Sequence, residues 1–484
     1  MNHTTRRDFL QRTLETAITG LAGISFIEAA KADEAPRRNR SANDKIRIAI
    51  IGLNGRGMDH IAGYLALSDV EITALCDPDM NCISKAQAAI EKKGKMKPQG
   101  FQDIRKLLEE KDIDAVSIAT PNHWHSLAGI WAMQQGKDVY VEKPVSHNVH
   151  EGRVLVEVSR KTGRICQAGT QSRSHKACQD AITYIKSGKI GKVTLARGLC
   201  YKRRDTIGKT TSALPIPAGV DYDLWVGPAP LKPIERKRFH YDWHWFWDYG
   251  NGDLGNQGIH QMDIARWALG KNSLPNSVMS VGGRFSYVDD GQTPNTELSF
   301  YDYSDSQLIF EVRGLKTDEY KGASVGNIIY GSDGYVVIGS NYGKAAAFDN
   351  NDQKLAEFSG AGDHFANFID AVKSRKREKQ HADILDGHLS SALCHLGNIS
   401  YRLGAFEHYD PQSKLFGKNA EIHETLARFN SHLIDNKVKL DEVQYRLGPR
   451  LFIDPKHETF RNNPEANAML TREYRAGFVV PNHA

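Results

Sequence analysis

Over the first third of the chain, short apolar runs alternate with helix-length stretches of mixed polarity. Residues 45–51, 70–76, 115–119, 138–141 and 164–168 are β-rich runs, and segments with helical spacing separate them. Strands alternating with helices predict a parallel sheet, with ligands at the carboxyl ends of the strands. After about residue 190 the pattern changes. Residues 193–200, 277–287, 296–301, 307–312, 327–330 and 334–338 are short β-rich runs with turn signals between them. Residues 364–373 and 384–403 have helical spacing, the second a candidate to return to the first domain. Residues 404–484 are polar, Pro-punctuated and only partly periodic, a C-terminal extension to which the pattern assigns no role.

The length of 484 residues predicts two or three domains. With 40% hydrophobic and 25% charged residues, wholesale disorder, collagen-like repeats and a polytopic membrane protein are excluded. The net charge of +5 is spread without a dense Lys/Arg block, so no nucleic-acid partner is expected. Six scattered cysteines without a CxxC form neither a disulfide framework nor a cysteine zinc site. The N-terminus is a targeting signal rather than fold. Thr5-Arg6-Arg7-Asp8-Phe9-Leu10-Gln11 has the twin-arginine form, a mildly apolar stretch runs over 17–27, and Ala30-Lys31-Ala32 has the form of a cleavage site. That apolar run is too short to span a membrane. The expectation is a signal peptide over 1–32, a linker over 33–44, and a protein exported, periplasmic or otherwise, by the twin-arginine route.

The chemistry sits at strand ends. The first run closes in Gly52-Leu53-Asn54-Gly55-Arg56-Gly57 and opens a helix, the context a dinucleotide-binding turn requires. Its glycines let the backbone approach a pyrophosphate, and the helix N-terminus offers N–H donors and a positive dipole. Asn54 replaces the second glycine of the fingerprint. The second run ends at Asp77, about 20 residues beyond Gly57, where an acid accepts hydrogen bonds from a ribose. An anion there repels a 2′-phosphate, favouring NAD over NADP. The remaining strand ends carry Thr120-Pro121-Asn122-His123-Trp124-His125, Glu142-Lys143-Pro144 and Gly169-Thr170-Gln171.

Together with Gly258-Ile259-His260-Gln261-Met262-Asp263, these motifs resemble the Gfo/Idh/MocA oxidoreductase family over roughly residues 45–400. The resemblance implies a Rossmann domain over 45–175, then an open, mainly antiparallel sheet over 176–403 that carries the substrate and an oligomer interface. It implies that NAD is held by Gly52, Asn54, Gly55, Arg56, Gly57, Asp77, Thr120, Pro121, Asn122, His125, Glu142, Lys143 and Gln171. Hydride transfer from an alcohol needs a proton acceptor and a positive group for the developing alkoxide. Lys143 is placed for the second task and can relay the proton. His260 is the candidate base, and Asp263 either orients its ring or caps a helix. Asn256 stands where many members carry an Asp; it binds a hydroxyl but cannot take a proton.

Phe239 to Tyr249 holds seven aromatics in eleven residues, among them three of the seven tryptophans. Tyr241, Trp243, Trp245 and Trp247 are candidate sugar-stacking residues. His240, Asp242, His244 and His260 lack a specific ligand spacing, so no metal is expected. An exported enzyme meets little free NAD. A tightly bound dinucleotide then has to be reset within each cycle. The expected activity is hydride transfer on a sugar or glycoside hydroxyl. A redox-neutral glycosidase or lyase working through a transient keto-sugar is the alternative, and a non-catalytic sugar-binding protein the third.

Overall fold

The computed structural model describes residues 45–408 and 416–484. The predicted signal peptide and linker lie outside the described residues. Six parallel strands build the first sheet: β1 (Ile46–Ile51), β2 (Val70–Cys76), β3 (Gln99–Phe101), β4 (Ala115–Ile118), β5 (Asp138–Val141) and β6 (Cys166–Ala168). Their spatial order is β3-β2-β1-β4-β5-β6. Helices cover both faces, which is why β1 and β4 are almost continuously apolar rather than alternating. Order reverses between β1 and β4, and ligands collect beyond the carboxyl ends of strands at such a switch point.

The second sheet is larger and mostly antiparallel. Its main path runs β14 (Lys354–Ser359), β13 (Lys344–Asp349), β12 (Gly334–Ile338), β11 (Val325–Tyr330), β7 (Leu195–Tyr201), β10 (Gln307–Arg313), β9 (Thr296–Asp302), β8 (Ser277–Gly283), β16 (Gln444–Leu447) and β15 (Ala405–His408). Only β7 and β10 pair in parallel among these neighbours. Alternation sorts the side chains. Ala196, Cys200, Leu308, Phe310 and Val312 face a core shared with helices Lys176–Lys186 and Gly258–Ala268. Leu195, Met279, Leu298, Phe300 and Ile309 face the other way.

That outer face meets the segment to which the sequence pattern assigned no role. Helix Ala420–Asp435, capped by Asn419, lays Ile422, Leu426, Phe429 and Leu433 on it. The spacing i, i+4, i+7, i+11 is an amphipathic stripe. Beneath the helix, Arg197 donates to Thr425 Oγ1 (2.6 Å) and Glu421 (2.6 Å), and Arg428 bonds both oxygens of Glu311 (2.7 and 2.8 Å). Strand β17 (Leu451–Asp454) pairs antiparallel with the start of β8, and the last residues return to the first domain. There Phe478 packs edge-on to Trp124 at 5.6 Å. Helices His364–Ser374 and Ile384–Leu403 also cross back. Phe365, Phe368 and Val372 join the core of β1, and Ser391 accepts from the Val145 N–H at 3.1 Å. No helix among the described residues is long and apolar enough to cross a membrane.

Candidate functional site

The turn after β1 is shaped by what cannot fit. A Cβ on Gly52 would lie 2.6 Å from the Thr120 nitrogen, and Gly52 has φ +84°. A Cβ on Gly57 would lie 1.9 Å from the Gly52 carbonyl oxygen. The ends of β1 and β4 therefore close to backbone contact. Asp77 at the end of β2 fastens the turn: its carboxylate accepts from Leu53 N (2.8 Å) and Asp79 N (2.9 Å). Burial raises its pKa to about 6 against those two bonds. Thr120 Oγ1 is buried with no partner among the described residues, so a ligand hydroxyl or phosphate oxygen would satisfy it. The glycine turn, the acid at the end of β2 and the orphaned hydroxyl fit a dinucleotide.

Other expected cofactor contacts hold one another. Glu142 Oε1 accepts from Arg56 Nε (2.8 Å), and His60 Nε2 and Gln171 Nε2 each lie 3.1 Å away. Burial pushes this carboxyl up, but Arg56 and His60 outweigh it and hold it well below the usual range. Gln171 and Gly57 do not line the cleft. Both nitrogens of His125 face carbonyl oxygens, Pro144 at 2.6 Å and Thr120 at 2.7 Å, so this ring staples two strand-end turns together. Asn122 Nδ2 donates to Asn251 Oδ1 at 3.1 Å.

The cleft between these turns and the second domain encloses about 290 Å³. Lys143 enters it from the end of β5 and donates one N–H to the Asn256 carbonyl (2.8 Å). Asn256 thus engages Lys143 through its backbone. Burial lowers the Lys143 ammonium below the ordinary lysine range, against the pull of Glu142. His260, the candidate base, is buried close enough to Lys143 and Glu142 to feel both charges. It does not line the cleft; it lies under the Tyr342 ring at 5.7 Å with Nδ1 unpartnered among the described residues. Burial and Lys143 hold it well below the usual histidine range. Asp263 neither orients it nor caps a helix. It forms a buried pair with Arg173 (2.7 and 2.9 Å) and accepts from Ser390 (2.7 Å).

Of the aromatic candidates, Tyr241 and Trp243 line the cleft, and Trp245 and Trp247 do not. Trp245 is buried under Arg204, 5.1 Å from its ring, and Trp247 faces Arg402 at 5.0 Å. The four residues weighed for a metal are dispersed: His240 pairs with Asp79 (2.9 Å) and Asp242 with Arg238 (2.7 Å).

Two family models match the chain, "Oxidoreductase family, NAD-binding Rossmann fold" over residues 46–170 and "Oxidoreductase family, C-terminal alpha/beta domain" over residues 185–428. The chain belongs to the Gfo/Idh/MocA oxidoreductase family. Its first domain is the NAD-binding Rossmann domain of that family. A relative from Saccharopolyspora erythraea named "Glycosyl hydrolase family 109 protein" is 32% identical over 206 residues, 40% of this chain and 45% of the relative. Another of the same name, from Solibacter usitatus, is 33% identical over 175 residues, 34% of this chain and 39% of the relative. The matches thus span less than half the length of these curated relatives. Among solved structures, the WlbA dehydrogenase from Bordetella pertussis in complex with NADH and UDP-GlcNAcA shares the fold. The TM-score is 0.55 at 19% identity, covering 74% of this chain and 97% of that one.

The sequence reading of this Gfo/Idh/MocA site missed four features. His60 holds Glu142, and its place one turn past Arg56 on a helix starting at the cofactor turn was a usable signal. Trp225 and His244 line the cleft. A strap from the second domain crosses the end of the cleft beside Asp77. Met80 N donates to Gly219 O (3.0 Å), Asp221 N to Pro78 O (2.9 Å) and Asn81 Nδ2 to Ala218 O (2.8 Å). Its partners lie more than 130 residues apart in the chain, which no local pattern reveals.

Proposed function

We propose that this chain oxidises a hydroxyl of a sugar or glycoside with a resident NAD, and that its full cycle is redox-neutral cleavage of a glycoside through a transient keto-sugar. The strap beside Asp77 carries this reading. Three backbone and side-chain bonds and the His240–Asp79 pair hold the second domain across the cleft. A dinucleotide enclosed there is reset in place more readily than it is exchanged. The carboxylates of the cleft point the same way. Asp77 is bonded to two backbone N–H groups, Asp103 to Arg105, and Glu142 to Arg56. No free carboxylate pair remains among the described lining residues for the ordinary two-acid glycosidase mechanism. The names of the family 109 glycosyl hydrolase relatives agree with this route.

When bound, NAD supplies the acceptor and donor of hydride. The residues supply the proton work. Lys143 keeps one N–H on Asn256 O, which fixes the amine at the strand end. Its lowered pKa lets it take a hydroxyl proton and give it back. In its charged form it stabilises the alkoxide oxygen. Tyr241 offers an aromatic face to the apolar side of a sugar ring, while Trp243 is buried with the His244 ring stacked on it.

Export by the twin-arginine route belongs to the same proposal, since that route passes folded proteins with cofactor aboard. Replacing Arg6 and Arg7 by lysine should keep the precursor inside the cell. A homo-oligomer built on the open sheet would carry helix Ala420–Asp435 on its interface, because that helix fills the outer face over β8–β10.

The test begins with protein purified without added cofactor, denatured and assayed for released NAD(H) by mass spectrometry. Near-stoichiometric dinucleotide is expected. A panel of p-nitrophenyl hexosides should then release nitrophenol without net NADH, and Lys143→Ala should abolish release while keeping the dinucleotide. Accumulating NADH with a stable keto product would replace cleavage by net oxidation. Hexoside binding without either product would leave a binding protein.

A further inference from the structure

We infer that His244 is the hydroxyl acceptor that orients the substrate, so that the sugar presents one hydroxyl to Lys143 and a second to His244 Nε2. The inference rests on the sugar-hydroxyl reading above. Three histidines line the cleft: His125, His240 and His244. His125 has both nitrogens against carbonyl oxygens, and His240 is tied to Asp79. His244 differs. Its Nδ1 lies 2.5 Å from the Tyr241 carbonyl oxygen. A carbonyl only accepts, so Nδ1 carries the proton and the neutral ring keeps its lone pair on Nε2. No protein group among the described residues is bonded to that nitrogen.

The ring is mounted rigidly. It stacks on Trp243 with centroids 3.7 Å apart and planes 20° apart. The backbone behind it presses on Gly250, where a Cβ would lie 2.6 Å from the His244 carbonyl oxygen and 2.7 Å from its Cα. Burial, together with the charges of Lys143, Arg204 and Arg238, pushes the ring down to about 3. His244 therefore stays neutral across the working range. It accepts a hydrogen bond and leaves proton transfer to Lys143. A polar acceptor fixed in a partly apolar cleft discriminates strongly against a substrate lacking the matching hydroxyl.

The test uses the NAD-loaded full chain and the same hexoside panel. His244→Phe should raise KM about 10- to 100-fold with kcat changed far less and dinucleotide content unchanged. His244→Gln, which keeps an acceptor oxygen, should recover most of the loss. A second readout needs no turnover: diethyl pyrocarbonate should modify His244 of the wild-type protein, mapped by mass spectrometry, and a bound hexoside should slow it. KM within twofold of wild type in His244→Phe, or modification that no panel member slows, overturns the inference. If the wild type cleaves no hexoside but one of them still protects His244, the glycosidase reading fails and the His244 assignment stands.

Discussion

Asp263→Asn separates two roles for the last residue of the histidine motif. If Asp263 serves His260, the variant should alter the pH profile of turnover and leave stability alone. The structure assigns it to the fold. Its side chain is fully buried, and it takes two bonds from Arg173 and a third from Ser390. Asparagine keeps the volume and removes the charge. Arg173 then retains only Asp386, at 3.3 Å. Removing one partner of a buried pair costs up to about 3–5 kcal/mol, because the other charge loses its closest counter-ion. At the roughly 2–4 °C per kcal/mol of mid-sized domains, and less for a larger cooperative unit, this lowers Tm by about 5–10 °C. Arg173→Met with Asp263→Leu removes both charges and should recover much of that loss. Scanning calorimetry of the four-member cycle measures the coupling, and released dinucleotide reports the site. An unchanged Tm combined with a shifted pH profile would refute the ion-pair assignment and return Asp263 to the catalytic histidine.

Two further outcomes test the cofactor end. Asp77 has its folded pKa raised to about 6 from 3.8. For an acid raised in this way, the neutral form is favoured in the fold, and stability present below about pH 4 is lost as pH rises through 6. Ribose hydroxyls donate to the carboxylate, so NAD binding to stripped protein should release a proton near pH 6. Affinity should rise up to about tenfold from pH 5 to 7. Calorimetry in two buffers of different ionisation enthalpy measures this, and affinity that falls with pH would refute it. Truncation after Met469 removes Arg475, which bonds Gly227 O (2.7 Å) and Asp223 (2.6 Å) behind cleft-lining Trp225, and also Phe478. The roof should loosen and NAD should dissociate at least about tenfold faster, since burying a phenylalanine alone is worth about 3–5 kcal/mol. Unchanged retention in dialysis would show that the tail does not hold the roof.

The Rossmann half was legible because each of its signals is local. The run at 45–51 became β1, the run at 115–119 became β4, and every motif quoted from that half fell at a strand end. The β-rich runs after residue 190 likewise became β7 to β12. Strands β13 and β14 were missed: Lys344–Asp349 is alanine-rich, and Lys354–Ser359 is an exposed edge with weak alternation. Helix Ala420–Asp435 was also missed, although Asn419 and the stripe Ile422, Leu426, Phe429, Leu433 announce it. Its polar face masked its apolar one in an average over the extension.

Partners are what the site reading lacked. Sequence supplies the residue types a reaction needs, but it does not show which of them the fold has already bonded. Arg56 and Gln171 both donate to Glu142 across turns far apart in the chain, and Asp263 is matched by Arg173. Subtracting engaged groups narrows the chemistry. Lys143 retains N–H groups beyond its one bond to Asn256, and His244 retains a lone pair. One is a cation whose pKa is lowered by burial, the other an imidazole kept neutral by burial and by that cation. Their charges make them complementary: the ammonium favours the alkoxide at one carbon, and the neutral ring binds a second hydroxyl without competing for its proton. Loss of Lys143 should therefore stop the chemistry with binding intact, whereas loss of His244 should weaken binding and spare the chemistry.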